Sequence, residues 1–231
     1  MKTVARIWRL ITIILMGLTA AMTLLSAIGT TCVAFGAEKY ESMAALVPYK
    51  WLYQLFVITT LAVALAAIAM TVGLMRARQK AYPGALITLL AGIIVAAAHV
   101  YASNALRGSA APANVRLYLS VLTLGALLLL RLPGVWQHIG PAGGGRDYPS
   151  TAAGLTAMAA GMATLTTPLW AGPTHLLDGV QWVNALLAPL LVGGGALVIA
   201  GMCLLAARHG HLQRASARAK TLRDHQARSM A

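Results

Sequence analysis

The sequence predicts an all-α integral membrane protein: a bundle of six transmembrane helices in three antiparallel hairpins, with both termini cytoplasmic. Three observations lead there. The chain has 231 residues, 59% of them hydrophobic and 10% charged, whereas soluble domains carry about 25% charged residues. The apolar residues fall in long blocks rather than in the alternating runs of a β-barrel. In lipid such blocks become helices, because a helix satisfies its own backbone donors and acceptors. The basic residues, finally, are shared very unequally among the connections.

The predicted helices cover residues 10–29, 55–75, 85–103, 115–132, 151–170 and 183–207. Each is near the ~20 residues that ~30 Å of hydrocarbon needs at ~1.5 Å per residue. The first follows a basic start (Lys2, Arg6, Arg9). Its apolar run exceeds the ~7–15-residue core of a signal peptide, so it is expected to remain as a helix. Residues 29–54 then form the polar interruption between the first two segments. They hold Cys32, Glu38 and Glu41 and end in the cluster Tyr49, Lys50, Trp51 and Tyr53. This is the expected main extracytoplasmic loop. The second segment ends at Arg76, Arg78 and Lys80, and Pro83-Gly84 marks a turn. Arg116 and Arg131 bracket the fourth, and both are expected to snorkel to the interfaces. Pro133-Gly134 ends that segment, and Gly143-Gly144-Gly145 marks a loop before the fifth. The link AGPTHLLDGVQ, 171–181, precedes the sixth. Residues 1–207 thus read as one transmembrane domain and 208–231 as a basic cytoplasmic tail.

Orientation follows from counting. Of 18 Lys and Arg residues, fourteen fall at the termini and in the second-to-third and fourth-to-fifth connections. Only Lys39, Lys50, Arg107 and Arg116 fall on the other side, against Glu38, Glu41 and Asp178. The positive-inside rule makes the first side cytoplasmic, in the cytoplasmic membrane. The five Trp agree: Trp8 and Trp136 sit at inner segment ends, and Trp51, Trp170 and Trp182 at outer ones. The net charge of +13 is therefore mostly topology, and nucleic acid is not an expected partner. In the tail, Leu212, Ala215, Ala219 and Leu222 share one helical face beside Arg214 and Arg218, which suits anionic lipid headgroups.

The segments themselves carry little chemistry. All five acids lie in loops or the tail, whereas proton-coupled carriers and intramembrane proteases use buried carboxylates. There is no HExxH pair, no phosphate loop and no CxxC. His99 is the ionisable residue well inside a predicted span, and such a residue is a functional candidate by default. Cys32, His175 and Asp178 lie on the same predicted side, so these four form a candidate outer binding cluster. No cofactor is predicted. Convergence of His99, His175 and Cys32 would permit zinc or copper, and His99 with His175 is the available pair for a b-type haem.

Three further patterns concern helix packing. Thr19, Thr23, Ser26 and Thr30 form one hydroxyl stripe, suited to a helix seam or to a solute path. Pro189 with Gly193, Gly194 and Gly195 predicts a break or bend in the sixth helix, and Gly193 to Gly201 a packing face. Gly17-Leu18-Thr19-Ala20 recurs as Gly154-Leu155-Thr156-Ala157, the mark of a duplicated hairpin or of composition alone.

The leading expectation is a non-enzymatic binding, scaffold or accessory subunit, partnered by the bilayer and by other membrane subunits. The second is a transporter or channel for a small neutral solute, its path lined by the Thr/Ser stripe and the Pro189–Gly195 break. The third is a membrane redox or metal protein using His99, His175 and Cys32.

Overall fold

A computed structural model describes residues 2–110, 113–131, 149–172, 176–177 and 180–207. His175, Asp178, Trp136 and the tail lie outside the described residues. The long helices are α1 (Lys2–Gly36), α2 (Lys50–Met75) and α3 (Ala81–Arg107). Then come α4 (Ala113–Leu129), α5 (Pro149–Leu165), the short α6 (Thr167–Ala171) and α7 (Leu187–Ala207). A two-residue β ladder pairs Leu176–Leu177 with Val180–Gln181. Among the described residues, four helices are long and apolar enough to cross a membrane: the α1, α2 and α3 regions and α7. Helices α4 and α5 have 17 residues each, about 25 Å at 1.5 Å per residue.

The element boundaries differ from expectation, in three places for an evident physical reason. Helix α1 continues through Thr30–Gly36, because no proline or charge interrupts that stretch. The expected open loop is correspondingly short, and it is wound into 3₁₀ turns at Ala37–Lys39 and Glu41–Tyr49. The predicted fifth helix is two helices, interrupted at Thr166 and restarted with Pro168 in the first turn of α6. Proline has no N–H to continue a helix but fits a first turn.

The outer surface is the reverse of a soluble protein's, and the apolar interior also holds many hydroxyls. Outward faces are apolar: Leu55, Ile58, Leu65 and Ile68 on α2 and Ile87, Leu90 and Ile94 on α3 are exposed. Inward faces hold Thr19, Thr23, Thr60, Thr71, Ser103, Ser120 and Thr123. Water would penalise contiguous apolar faces of this extent, and lipid does not. Most of the buried hydroxyls meet their own helix's carbonyls, as in Thr23 to the Thr19 oxygen (2.6 Å), Thr71 to that of Ala67 (2.7 Å) and Ser120 to that of Arg116 (2.8 Å).

Cross-helix bonds fix the directions. Arg9 Nη2 donates to the Leu74 oxygen (3.1 Å) and Gln54 Nε2 to that of Ala34 (3.2 Å), so α1 and α2 run antiparallel. Thr19 and Thr123 share a hydroxyl bond of 2.7 Å between α1 and α4. Tyr82 donates to the Leu127 oxygen (3.1 Å) between α3 and α4. Below the Thr19–Thr123 bond, Met16, Ala20, Ala67, Tyr82, Ala85, Leu89, Leu127 and Leu130 fill the interior.

Helix α7 corrects two expectations. It runs unbroken from Leu187 to Ala207. Pro189 lies in its first turn, where a missing N–H is harmless, so Pro189 and Gly193–Gly195 do not break it. The seam is made by Gly194 and Gly201, not by Gly193, beside whose Cα there is open space. A Cβ on Gly161 of α5 would lie 2.7 Å from the Gly194 oxygen, and one on Gly201 would lie 2.6 Å from the Gly154 oxygen. Two glycine pairs, each spaced by seven residues, thus bring α5 and α7 together backbone to backbone. The two copies of the repeated tetrapeptide also meet, since Gly17 of α1 packs directly against the Thr156 side chain.

Candidate functional site

At the end of the bundle opposite Met16 and Leu127, the interior is not filled. A cavity of about 490 Å³ lies among the C-terminal half of α1, the 3₁₀ turns, the start of α2, the end of α3, the start of α4, α6 and the start of α7. That volume falls within the ~300–1,000 Å³ of small-molecule sites. The 3₁₀ stretch makes its cap: Tyr40, Met43 and Leu46 pack with Val33, Ala34, Tyr53 and Phe56. Much of the lining is aliphatic or aromatic, including Met22, Leu25, Met43, Leu46, Trp170 and Leu190.

One wall is polar. The spacing of α3 puts Ala96, His99 and Ser103 on one face, and that of α4 does the same for Ala113, Arg116 and Ser120. The His99 ring stacks on Phe56, with centroids 4.7 Å apart and planes at 17°, and meets Tyr53 edge-on at 5.5 Å. The Tyr53 hydroxyl bonds Ser103 Oγ at 3.0 Å. These aromatic contacts hold the imidazole in one orientation. Its Nδ1 is buried and has no hydrogen-bond partner.

Arg116 corrects an expectation. It does not reach outward to the interface but is 3% exposed, and it lines the cavity. Its Nη1 donates to the fully buried Thr60 Oγ1 at 2.8 Å. Its Nε and Nη2 are buried without partners. Arg131, just past the other end of α4, is exposed and sits 5.0 Å over the Tyr82 ring. Arg107 also lines the cavity, with its Nε donating to the Ser109 oxygen at 2.9 Å. No described carboxylate lines the cavity. Glu38, the acid nearest in sequence, is held outside by Lys50 at 2.7 Å.

Of the predicted outer cluster, His99 and Cys32 line the same cavity, while His175 and Asp178 lie outside the described residues. The Cys32 thiol sits beside the Tyr40 hydroxyl, and burial pushes that phenol up, so it stays neutral. Among the described residues, no group of three or more His, Cys, Asp or Glu side chains is placed to hold a metal. The hydroxyl stripe of α1 divides. Thr19 is engaged by Thr123, Thr23 turns back on its own helix, and Ser26 and Thr30 line the cavity.

Arg116 and Tyr53 were not candidates on sequence grounds. The signal was present nonetheless. Ala113, Arg116, Ser120, Thr123 and Leu127 recur at the same three-and-four spacing as the α1 stripe. An arginine inside that stripe faces the bundle. Comparison with family models, with curated proteins and with solved structures finds no match for this chain.

Proposed function

We propose that this is a multi-pass protein of the cytoplasmic membrane that binds a lipophilic ligand in the cavity, without chemistry of its own. Six spans with both termini inside remain the preferred topology. The antiparallel contacts of α1 with α2 and of α5 with α7 support it, and the Lys/Arg asymmetry gives its direction. The short α4 is near the lower limit of ~17 residues for a span, and α5 with α6 would make the fifth. The cavity is the observation that carries the binding reading: a largely apolar chamber in helices whose outer faces suit lipid. A solute path would have to continue past Met16, Leu89 and Leu127, which are fully buried and tightly packed, so transport is the weaker reading.

Gly29 offers a clean test. It lines the cavity, and a Cβ there meets nothing within 4 Å. Gly29→Trp should project an indole into the chamber and obstruct it without disturbing the fold. Native mass spectrometry of protein purified in mild detergent should show a lipid-sized adduct on the wild type and none on Gly29→Trp. Equal adducts on both would place any bound lipid outside the cavity and remove this reading.

A further inference from the structure

We propose that the cavity's ligand is an anionic amphiphile, a single apolar chain ending in a phosphate or carboxylate, with the head held by Arg116. This rests on the binding reading and sharpens it. Three independent observations carry it.

The first is the free edge of the guanidinium. Arg116 is anchored through Nη1 on Thr60, which leaves Nε and Nη2 buried without partners. Those two nitrogens form one side of the guanidinium, with N–H bonds pointing in parallel. That fork matches two oxygens of a carboxylate or phosphate. A buried arginine with an unmatched fork costs free energy in every state except the one that supplies the oxygens.

The second is the adjacent imidazole. His99 is 6% exposed and lines the same chamber, with Nδ1 unpartnered. Its stacking on Phe56 fixes the ring. In the neutral tautomer that carries its hydrogen on Nδ1, the ring gives a third donor to the same head. Only one other buried side-chain N or O atom among the described residues lacks a partner, the Thr156 hydroxyl on α5. The unmet hydrogen bonding is thus concentrated on one wall.

The third is charge. Four basic residues fall on the side where the chain otherwise carries few. Lys50 is engaged by Glu38, and the other three, Lys39, Arg107 and Arg116, all line the cavity. Cations that run against the positive-inside bias are placed around one chamber with no described carboxylate among its lining residues. The aliphatic remainder of the lining excludes a free anion as the preferred occupant and requires an apolar tail.

The experiment uses the full chain, delipidated in a neutral detergent, with four probes: dodecyl phosphate, dodecanoate, dodecanol and inorganic phosphate. Binding is read by microscale thermophoresis and by the shift in thermal unfolding. The wild type should bind dodecyl phosphate or dodecanoate at least about tenfold more tightly than dodecanol, and should bind inorganic phosphate far more weakly than either. Which of the two acids wins assigns the head. Arg116→Met should bring the acids to the affinity of dodecanol, while Arg116→Lys, which keeps charge but not the fork, should retain part of the preference. The empty Arg116→Met protein should unfold at a higher temperature than the empty wild type, because an unmatched buried charge has gone. Loss of an ordinary structural partner would lower that temperature. Equal binding of the acids and dodecanol by the wild type would overturn the head assignment and leave the binding reading standing. So would an unchanged preference in Arg116→Met. Failure of all three dodecyl probes to bind, or their undiminished binding to Gly29→Trp, would overturn both. The wild-type ranking of the probes decides the matter even where Arg116→Met does not fold.

Discussion

At one end of the bundle Met16, Leu89 and Leu127 close the interior; at the other Tyr53, His99 and Arg116 face a chamber of about 490 Å³. Helix α4 spans both ends, with Arg116 in its first turn and Arg131 just past its last residue. Arg131 is exposed over the Tyr82 ring, the usual accommodation of a long cation at a helix end. Arg116 could do the same and does not. It is buried, with one nitrogen bonded and two unmatched. The closed end has the packing of a structural core, in which cations stay outside. The open end carries the cost of an inward cation, and such groups in membrane helices mark function.

The largest effect that would break this contrast is a truncation at each end. Leu127 is fully buried, so Leu127→Ala should leave a closed void and lose about 2–5 kcal/mol. Leu25 lines the existing chamber. Leu25→Ala only enlarges space already open and should lose less than half as much. Reversible unfolding in mixed micelles measures both. Equal losses would mean that the chamber closes in solution.

Much of this contrast is legible in the sequence, and the missing part has a physical cause. Composition and block length gave helices in lipid, because those quantities are summed over many residues. The hydroxyl stripe of α1 is visible as a face in the sequence, but its division at Ser26 depends on where Thr123 stands in another helix. His99 stood out because a lone ionisable residue in an apolar run is visible from sequence. Arg116 did not, because its nearness to a segment end allows either an outward or an inward side chain. Only the register of α4 against Thr60 decides between them. The packing face of α7 includes Gly201 as read but starts one residue later than Gly193, for the same reason: among three consecutive glycines, the partner helix selects Gly194.

The two ends also differ in their turns. After α2 the chain makes a capping turn in which Arg78 N bonds the Gly73 oxygen (3.0 Å) and Ala77 N that of Leu74 (3.2 Å). This geometry puts Ala77 in the left-handed region at φ 51°, where glycine is the usual residue. After α3 the corresponding position is Gly108, at φ 69°. Opposite substitutions should therefore have opposite signs. Ala77→Gly should gain about 0.5–1 kcal/mol by relieving steric strain, and Gly108→Ala should lose about 1 kcal/mol by introducing it. Thermal unfolding of the two variants against wild type reads both. The same sign for both would show that loop contacts, not backbone conformation, set the stability of these turns.

The smallest effect tests the boundary between the ends. Thr19 and Thr123 join α1 to α4 by a 2.7 Å hydroxyl bond, and Thr123 also reaches the Leu119 oxygen at 2.8 Å. Thr123 therefore keeps an alternative acceptor on its own helix, and removing Thr19 leaves it no orphaned donor. Membrane helix pairs of this kind couple by about 0.6 kcal/mol, with a ceiling near 1.7. A double-mutant cycle with Thr19→Val and Thr123→Val should return a coupling in that range. It should also leave the affinity for the chamber's ligand within about twofold, because the pair lies outside the cavity lining. A ligand affinity that falls with the coupling would mean that the closed end sets the shape of the open one. The two ends would then be one cooperative unit rather than a rigid base beneath an adaptable site.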